Sequence, residues 1–253
     1  MRMGKKGGMK HLKREKSPRF WRIHPKELQW AVKPNPGPHS QRECIPLSSL
    51  LRDVLGYAKN ARESKIILAQ NRVSVDGKVC RDHKFPAGLM DVIELPDANV
   101  SYRILPAVGK GLTAVRIPND EGKSKLCRIE DKTTLNKGHV QLNLHDGRSI
   151  VIPVQDPRSA KEDTYKTRDT LRISVPTQKI LGHLKFAEGA YAVVTSGRNL
   201  GRHGKIMKLE PSTATRRATA LIEDPSGDRF ETIADYLFVV GEEKPTIKIE
   251  GGA

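Results

Sequence analysis

ECIPLSSLLRDVLGYAKNARESKIILAQNRVSVDGKVCRDHKFPAGLMDVIEL, residues 43–95, carries two structural periods in succession. Pro46 suits a first helical position, and Leu47, Leu50, Leu51, Val54 and Leu55 follow at i, i+3, i+4, i+7 and i+8. That spacing gathers the leucines on one face of an amphipathic helix, which Gly56 stops. A second helix is expected from Asn60, with Glu63 three residues on as a capping box, through Ile66, Ile67 and Leu68 to Asn71. The period then changes to two. Val73, Val75 and Val79 alternate with polar residues around Asp76-Gly77, a dipeptide that favours a tight hairpin. A further strand over 91–95 closes the unit.

Helix, helix, NxVxVDGKxV hairpin and GxxDxIxL strand, in that order, resemble the α-L RNA-binding module of ribosomal proteins, some aminoacyl-tRNA synthetases and pseudouridine synthases. In that family the second helix and its flanks face RNA. The resemblance therefore implies RNA contact at Lys59, Arg62 and Lys65 along the helix, and at Arg72, Lys78 and Arg81 beside it. Read alone, three basic residues on a helix would be an ordinary solvated face.

Charge supports the first reading. The 253 residues hold 45 Lys and Arg against 29 Asp and Glu, a net charge of +16, which attracts a polyanion. Residues 1–42 contribute 12 basic and 2 acidic residues, so one sixth of the chain carries most of the excess. This segment shows no sustained period, ends in Pro34, Pro36, Gly37 and Pro38, and is expected to be extended and disordered when alone. Its cations Arg2, Lys5, Lys6, Lys10, Lys13, Arg14, Lys16, Arg19 and Arg22 are candidate phosphate contacts. Both tryptophans, Trp21 and Trp30, lie in it beside Phe20, and flat rings can stack on unpaired bases. Trp21 is the candidate RNA-contacting ring; for Trp30, base stacking and anchoring on the protein body stand equal.

Other classes are excluded or disfavoured. No stretch approaches the roughly 18 apolar residues of a membrane helix, and no apolar run follows the basic start as in a secretory signal. Cys44, Cys80 and Cys127 are too far apart for a CxxC zinc site and too few to pair evenly, so buried reduced thiols in a cytosolic protein are expected. No metal, cofactor or small-molecule substrate is expected.

Residues 98–176 read as closely spaced short strands, among them 102–105, 112–117, 126–129 and 171–175, which suggests a small barrel. Val140, Leu142 and Leu144 alternate up to His145-Asp146-Gly147, a second hairpin. His145 beside Asp146 invites a catalytic reading. Adjacent strand residues point to opposite faces, however, the turn needs Asp146, and no nucleophile accompanies the two.

In FAEGAYAVVTSGRNLGRHGKIMKL (186–209), apolar residues alternate through 190–194 with both faces partly buried, and Gly197, Gly201 and Gly204 punctuate a basic loop. Arg198, Arg202, His203 and Lys205 ride on that loop as candidate RNA contacts. A nucleotide-binding loop would need GK followed by Ser or Thr opening a helix; Gly204-Lys205-Ile206 runs into a strand instead. The stretch resembles a KOW motif, the opening hairpin of a small SH3-like barrel.

These parts together resemble the archaeal and eukaryotic small-subunit ribosomal protein family usually called "four-e", over essentially the whole chain. The stretches that carry the likeness are GPHSQRECIPL (37–47), DGKVCRDHKFPAGLMDVI (76–93), SKLCRIEDKT (124–133), QLNLHDGR (141–148), DTYKTRDTL (163–171) and VTSGRNLGRHGKI (194–206). Arg168 stands where a smaller residue is expected, and Ser196 where Gly is common. The resemblance implies an α+β, mostly β chain: a basic extension (1–42), an α-L module (43–97), a central β-barrel-like domain (98–176), an SH3-like KOW barrel (177–242) and a C-terminal tail (243–253). It implies a non-catalytic, cytoplasmic protein bound to small-subunit ribosomal RNA and neighbouring small-subunit proteins. Eukaryotic members usually extend further past the KOW barrel, so an end at Ala253 favours an archaeal source. Two rivals explain less. A pseudouridine synthase needs a catalytic Asp in an HRLD-like string, which is absent, and a KOW-bearing elongation factor leaves the α-L module and extension unexplained.

Overall fold

The computed structural model describes residues 10–24, 26, 28–154, 163–214 and 216–249. The chain is mostly β, and the two expected helices form. The first runs over Leu47–Ser49 and continues through Leu50–Val54 in a wider turn, where the Leu55 amide donates to the Leu50 carbonyl at 2.9 Å. Leu47, Leu50 and Leu51 are fully buried, as their spacing requires. The second spans Ala61–Ala69. The Asn60 side chain accepts from the Arg62 and Glu63 amides, and Glu63 reaches back to the Lys59 amide at 2.7 Å. Glu63 thus meets the residue before the cap, one position earlier than a capping box requires. Ser48 and Ser64 share a buried hydroxyl contact of 2.7 Å that joins the helices. Asn60→Ala should cost about 1 kcal/mol in urea unfolding, with the native circular dichroism spectrum retained.

Three five-stranded antiparallel sheets follow. In the first, Ser74–Val75 and Lys78–Val79 flank the Asp76-Gly77 turn, whose residues both have positive φ (+49° and +68°), as a two-residue hairpin demands. Val92–Leu95 pairs with Ser74–Val75, and Val100–Ala107 and Gly111–Ile117 extend the same sheet. A segment limit at 97/98 therefore runs through one continuous sheet. Val100–Ala107 gains its partner Gly111–Ile117 on one side while keeping Val92–Leu95 on the other.

The second sheet is organised by Ser124–Thr134, an 11-residue strand. Its first half pairs with Thr170–Ser174 and its second with Val140–Leu144, across a register shift at residues 129–131. Ser149–Ile152 and Ile180–Leu184 form its edges. Arg168 adopts φ +72°, which explains why a smaller residue suits that turn, and its guanidinium reaches Asp235 at 2.6 Å. The third sheet is ordered Arg229–Ile233, Thr219–Glu223, His203–Glu210, Tyr191–Val194, Leu237–Gly241.

Alternation on two third-sheet strands explains how the sheets join. Ala192, Val194, Leu237 and Val239 fill that sheet's own core. Val193, Phe238 and Val240 point the other way, against Met90, Leu105 and Val115 of the first sheet region and Leu126 of the second. Ile247, beyond the third sheet, enters this shared core too. Among the described residues no helix is long and apolar enough to cross a membrane.

The described part of the N-terminal segment packs on the body of the chain. Leu12–Lys13 pairs with Trp30–Ala31, and Leu12, Trp21 and Ile23 are buried in the core formed by the two helices and the first sheet. The segment has no core of its own, as its composition indicates, and borrows that of residues 45–114. This packing leaves no periodic mark in the sequence, because the three apolar side chains are spread over twelve residues.

Candidate nucleic-acid interface

The basic residues around the second helix divide into two places. Arg62 and Lys65 are exposed along the helix, Arg72 leaves its end, and the Arg81 Nε donates to Asn71 at the helix exit (2.6 Å). Lys65 also acts on His83, whose imidazole is held below its ordinary value by burial and by this neighbouring charge. Arg72 shares an exposed ion pair with Asp97 at 3.2 Å. Lys59 stands before the cap, at the other end of the helix, and Lys78 lies at the hairpin. Helix, exit turn and the loop around 81–84 thus form one basic surface, with Lys59 apart from it.

In the N-terminal segment Arg2, Lys5 and Lys6 lie outside the described residues. Lys10, Lys13, Lys16 and Arg19 are exposed. Arg14 bends back toward the Ile23 carbonyl (3.4 Å), and an Arg22 Nη donates to the Thr113 hydroxyl at 3.0 Å. The roles of the two tryptophans need correction. Trp21 is 4% exposed, and its Nε1 donates to the Cys44 carbonyl at 2.7 Å, so its ring is enclosed and not offered to a base. Trp30 is 52% exposed and tilts against His11 with ring centroids 5.7 Å apart. Nothing local in the sequence separates these two rings; the distinction arises from residues 44–47, more than twenty positions away.

The glycine-punctuated loop is also divided. Arg198 and Lys205 are exposed. Arg202, in contrast, bonds Asp224 through Nε (2.8 Å) and a terminal nitrogen, and stacks 4.1 Å above the Phe230 ring. His203 Nδ1 meets the Tyr191 hydroxyl at 2.7 Å. These two side chains tie the loop to its own sheet, which their sequence position beside the glycines did not reveal.

Where the first and second sheets meet, charge is buried instead. Lys125 Nζ lies 2.5 Å from Asp91, 2.8 Å from Asp76 and 3.0 Å from Asp146. Arg148 bonds Asp76 and Asp146 at 2.5 and 3.2 Å, and His39 Nε2 lies 3.1 Å from Asp91. Asp76 Oδ1 and Asp91 Oδ2 also accept backbone amides, from Val92 and Gly88. Burial works against the Lys125 ammonium, but the surrounding carboxylates outweigh it and raise Lys125 well above its ordinary value. Burial likewise pushes Asp91 and Asp146 up, but Lys125 together with His39 at Asp91, and with His145 and Arg148 at Asp146, outweighs it, so both are held low. Asp76 is raised, chiefly by burial. Asp146 does serve its turn, accepting the Arg148 amide at 3.2 Å, and it belongs to this network as well.

Cys127, His145 and Asp146 offer ligand atoms within 4.8 Å of one another. Their chemistry does not suit a metal. His145 Nδ1 accepts the Arg128 amide while Nε2 faces the Leu89 carbonyl, both at 3.2 Å, which leaves no ring lone pair to give. Burial pushes the His145 imidazole down to about 3 and the Cys127 thiol well up, so neither a proton shuttle near neutrality nor a thiolate is on offer. Asp146 is engaged by Lys125 and Arg148. The His-Asp pair is architectural, and its ring meets Phe238 of the third sheet edge-on at 5.3 Å. All three cysteines are free; Cys44 and Cys127 are buried, whereas Cys80 is partly exposed. Burial pushes the Cys44 thiol up to about 12.

Comparison with known proteins gives a consistent outcome. The model of Ribosomal family S4e matches residues 98–180, and that of the RS4NT (NUC023) domain matches residues 6–42. The chain is 47% identical over 251 residues to small ribosomal subunit protein eS4 of Staphylothermus marinus, covering 99% of this chain and 100% of the relative. The protein of the same name from Aeropyrum pernix is 48% identical over 251 residues, with 99% of both chains covered. The crystal structure of the 30S ribosomal protein S4e from Thermoplasma acidophilum superimposes with a TM-score of 0.65 at 32% identity, over 79% of this chain and 96% of that one.

Proposed function

Because the chain belongs to ribosomal family S4e, a family of structural and non-enzymatic proteins, we propose that it binds small-subunit ribosomal RNA and stabilises its folded form. Its relatives carry the name of a small ribosomal subunit protein, and its own place is accordingly the cytoplasmic small subunit, beside the RNA and neighbouring subunit proteins. The relatives are archaeal, as is the source we assign. We read residues 43–97 as the α-L module, continued into the central domain by its shared sheet, and residues 177–242 as the KOW barrel, whose first stretch, Ile180–Leu184, also forms an edge of the central sheet.

One observation carries the reading. The chain carries a net charge of +16, and among the described residues separated cations such as Lys10, Arg19, Arg62, Lys65, Lys110 and Arg198 are exposed, while buried ion pairs and a shared apolar core join the three five-stranded sheets. A rigid body of that kind engages a long polyanion at several points at once. The contacts go to phosphates, which position a protein on RNA without reading sequence.

Replacing Lys59, Arg62 and Lys65 with Ala should weaken binding to small-subunit rRNA fragments and make the salt dependence of log K shallower by about 2. Thermal melting should stay near wild type, since all three are exposed and Ala favours helix at 62 and 65. Filter binding across a salt series checks this. Wild-type affinity in the triple variant would show that the second helix does not face RNA.

A further inference from the structure

A cleft of about 580 Å³ opens where three distant parts of the chain converge: the N-terminal segment at 19–22, the hairpin tip at 108–111 and the glycine loop at 197–202. Five of its lining residues are cations, Arg19, Arg22, Lys110, Arg198 and Arg202, and no carboxylate lines it among the described residues. Arg19, Lys110 and Arg198 are exposed. Arg202 is partly neutralised by Asp224, and Arg22 is fixed on Thr113, so these two shape the wall more than they supply free charge.

The cleft is built, not a chance meeting of side chains. A Cβ on Gly111 would collide with the Phe20 side chain, and one on Gly201 with the backbone of Ala107 and Val108. Only glycine lets the N-terminal segment close on one flank of the hairpin and the loop on the other. Both close approaches hold cations from three distant parts of the sequence around one space, with their ordering cost already met by folding.

We propose that this cleft is a composite phosphate site that grips one stretch of RNA backbone, a deepening that rests on the rRNA-binding reading above. The ligand class follows from the lining. Guanidinium forks suit phosphate oxygens, Lys110 adds a point charge, and the side-chain-free position at Gly109, which faces open space, lets a continuous backbone lie close. Lys110 did not stand out in the sequence, although its setting between two glycines marks a turn tip.

The test uses the full chain and small-subunit rRNA transcript, with filter binding over a salt series. Arg19→Ala, Lys110→Ala and Arg198→Ala combined should make the slope of log K against log salt shallower by about 2–3. The charge-conserving set Arg19→Lys, Lys110→Arg and Arg198→Lys should restore most of it. Lys110→Ala alone, at an exposed turn, should remove about 0.7–0.9 and guards against a folding defect in the triple variant. A wild-type slope in the triple variant overturns the site while leaving rRNA binding intact. Absence of salt-sensitive binding by the wild type overturns the underlying reading instead. If the triple variant keeps its rRNA slope but loses binding to polyglutamate, the cleft takes an acidic protein segment, and the proposal is wrong.

Discussion

Lys125→Met is expected to cost the fold about 3–5 kcal/mol in urea unfolding, because it strands buried carboxylates without their cation. Asp91 and Asp146 are 2% and 1% exposed at their side chains, and Arg148 alone cannot replace an ammonium that touches all three aspartates. The pH profile distinguishes this cause from a packing defect. In the wild type, Asp91 and Asp146 are held low and contribute stability above the ordinary carboxylate value of 3.8, lost as pH falls through their lower folded values. Asp76, raised by burial, opposes part of that gain. Lys125, raised, contributes stability that is complete below its ordinary 10.5 and is lost as pH climbs through its higher folded value. Without Lys125 the buried carboxylates prefer their protons. The variant should therefore gain stability from about pH 7 down to about pH 4, where the wild type stays nearly level. A loss under about 1 kcal/mol, or a flat profile in the variant, would mean that the network does not join the sheets.

Trp21→Ala should be nearly as damaging, at about 3–5 kcal/mol, because it empties a large volume in the core and frees the Cys44 carbonyl. Trp30→Ala, at a half-exposed ring, should stay within about 0.5 kcal/mol. The Trp21 variant should also release the N-terminal segment, seen as new proteolytic cleavage between residues 34 and 42 in the free protein. Equal stability of the two variants would contradict the anchoring role of Trp21.

These two residues mark where sequence reading stopped. The leucine spacing of 47–55, the Asn60 cap and the Asp76-Gly77 turn are local, and each formed close to where its pattern put it. The alternation through 190–194 even announced a strand buried on both faces, because a period of two with apolar residues throughout leaves no solvent side. Partnerships over long separations left no such trace. Lys125 meets aspartates 49, 34 and 21 positions away, and nothing in SKLCRIEDKT distinguishes it from a surface lysine. Arg202 was grouped with Arg198 by adjacency, yet Asp224 and Phe230 claim it. The turn accounts for Asp76 in the sequence, and its second task in the buried network leaves no local mark. The candidate cations are legible as a charge surplus, and their division into exposed side chains and internal ties is not.

Ultraviolet crosslinking of purified small subunits, with the crosslinked peptides mapped by mass spectrometry, tests the central claim most directly. The account predicts RNA-linked peptides containing Trp30, Arg62 to Lys65 and the 108–111 and 197–199 segments, and none centred on Trp21 or Lys125. Crosslinks confined to other surfaces, or no RNA-linked peptide from this chain, would contradict it.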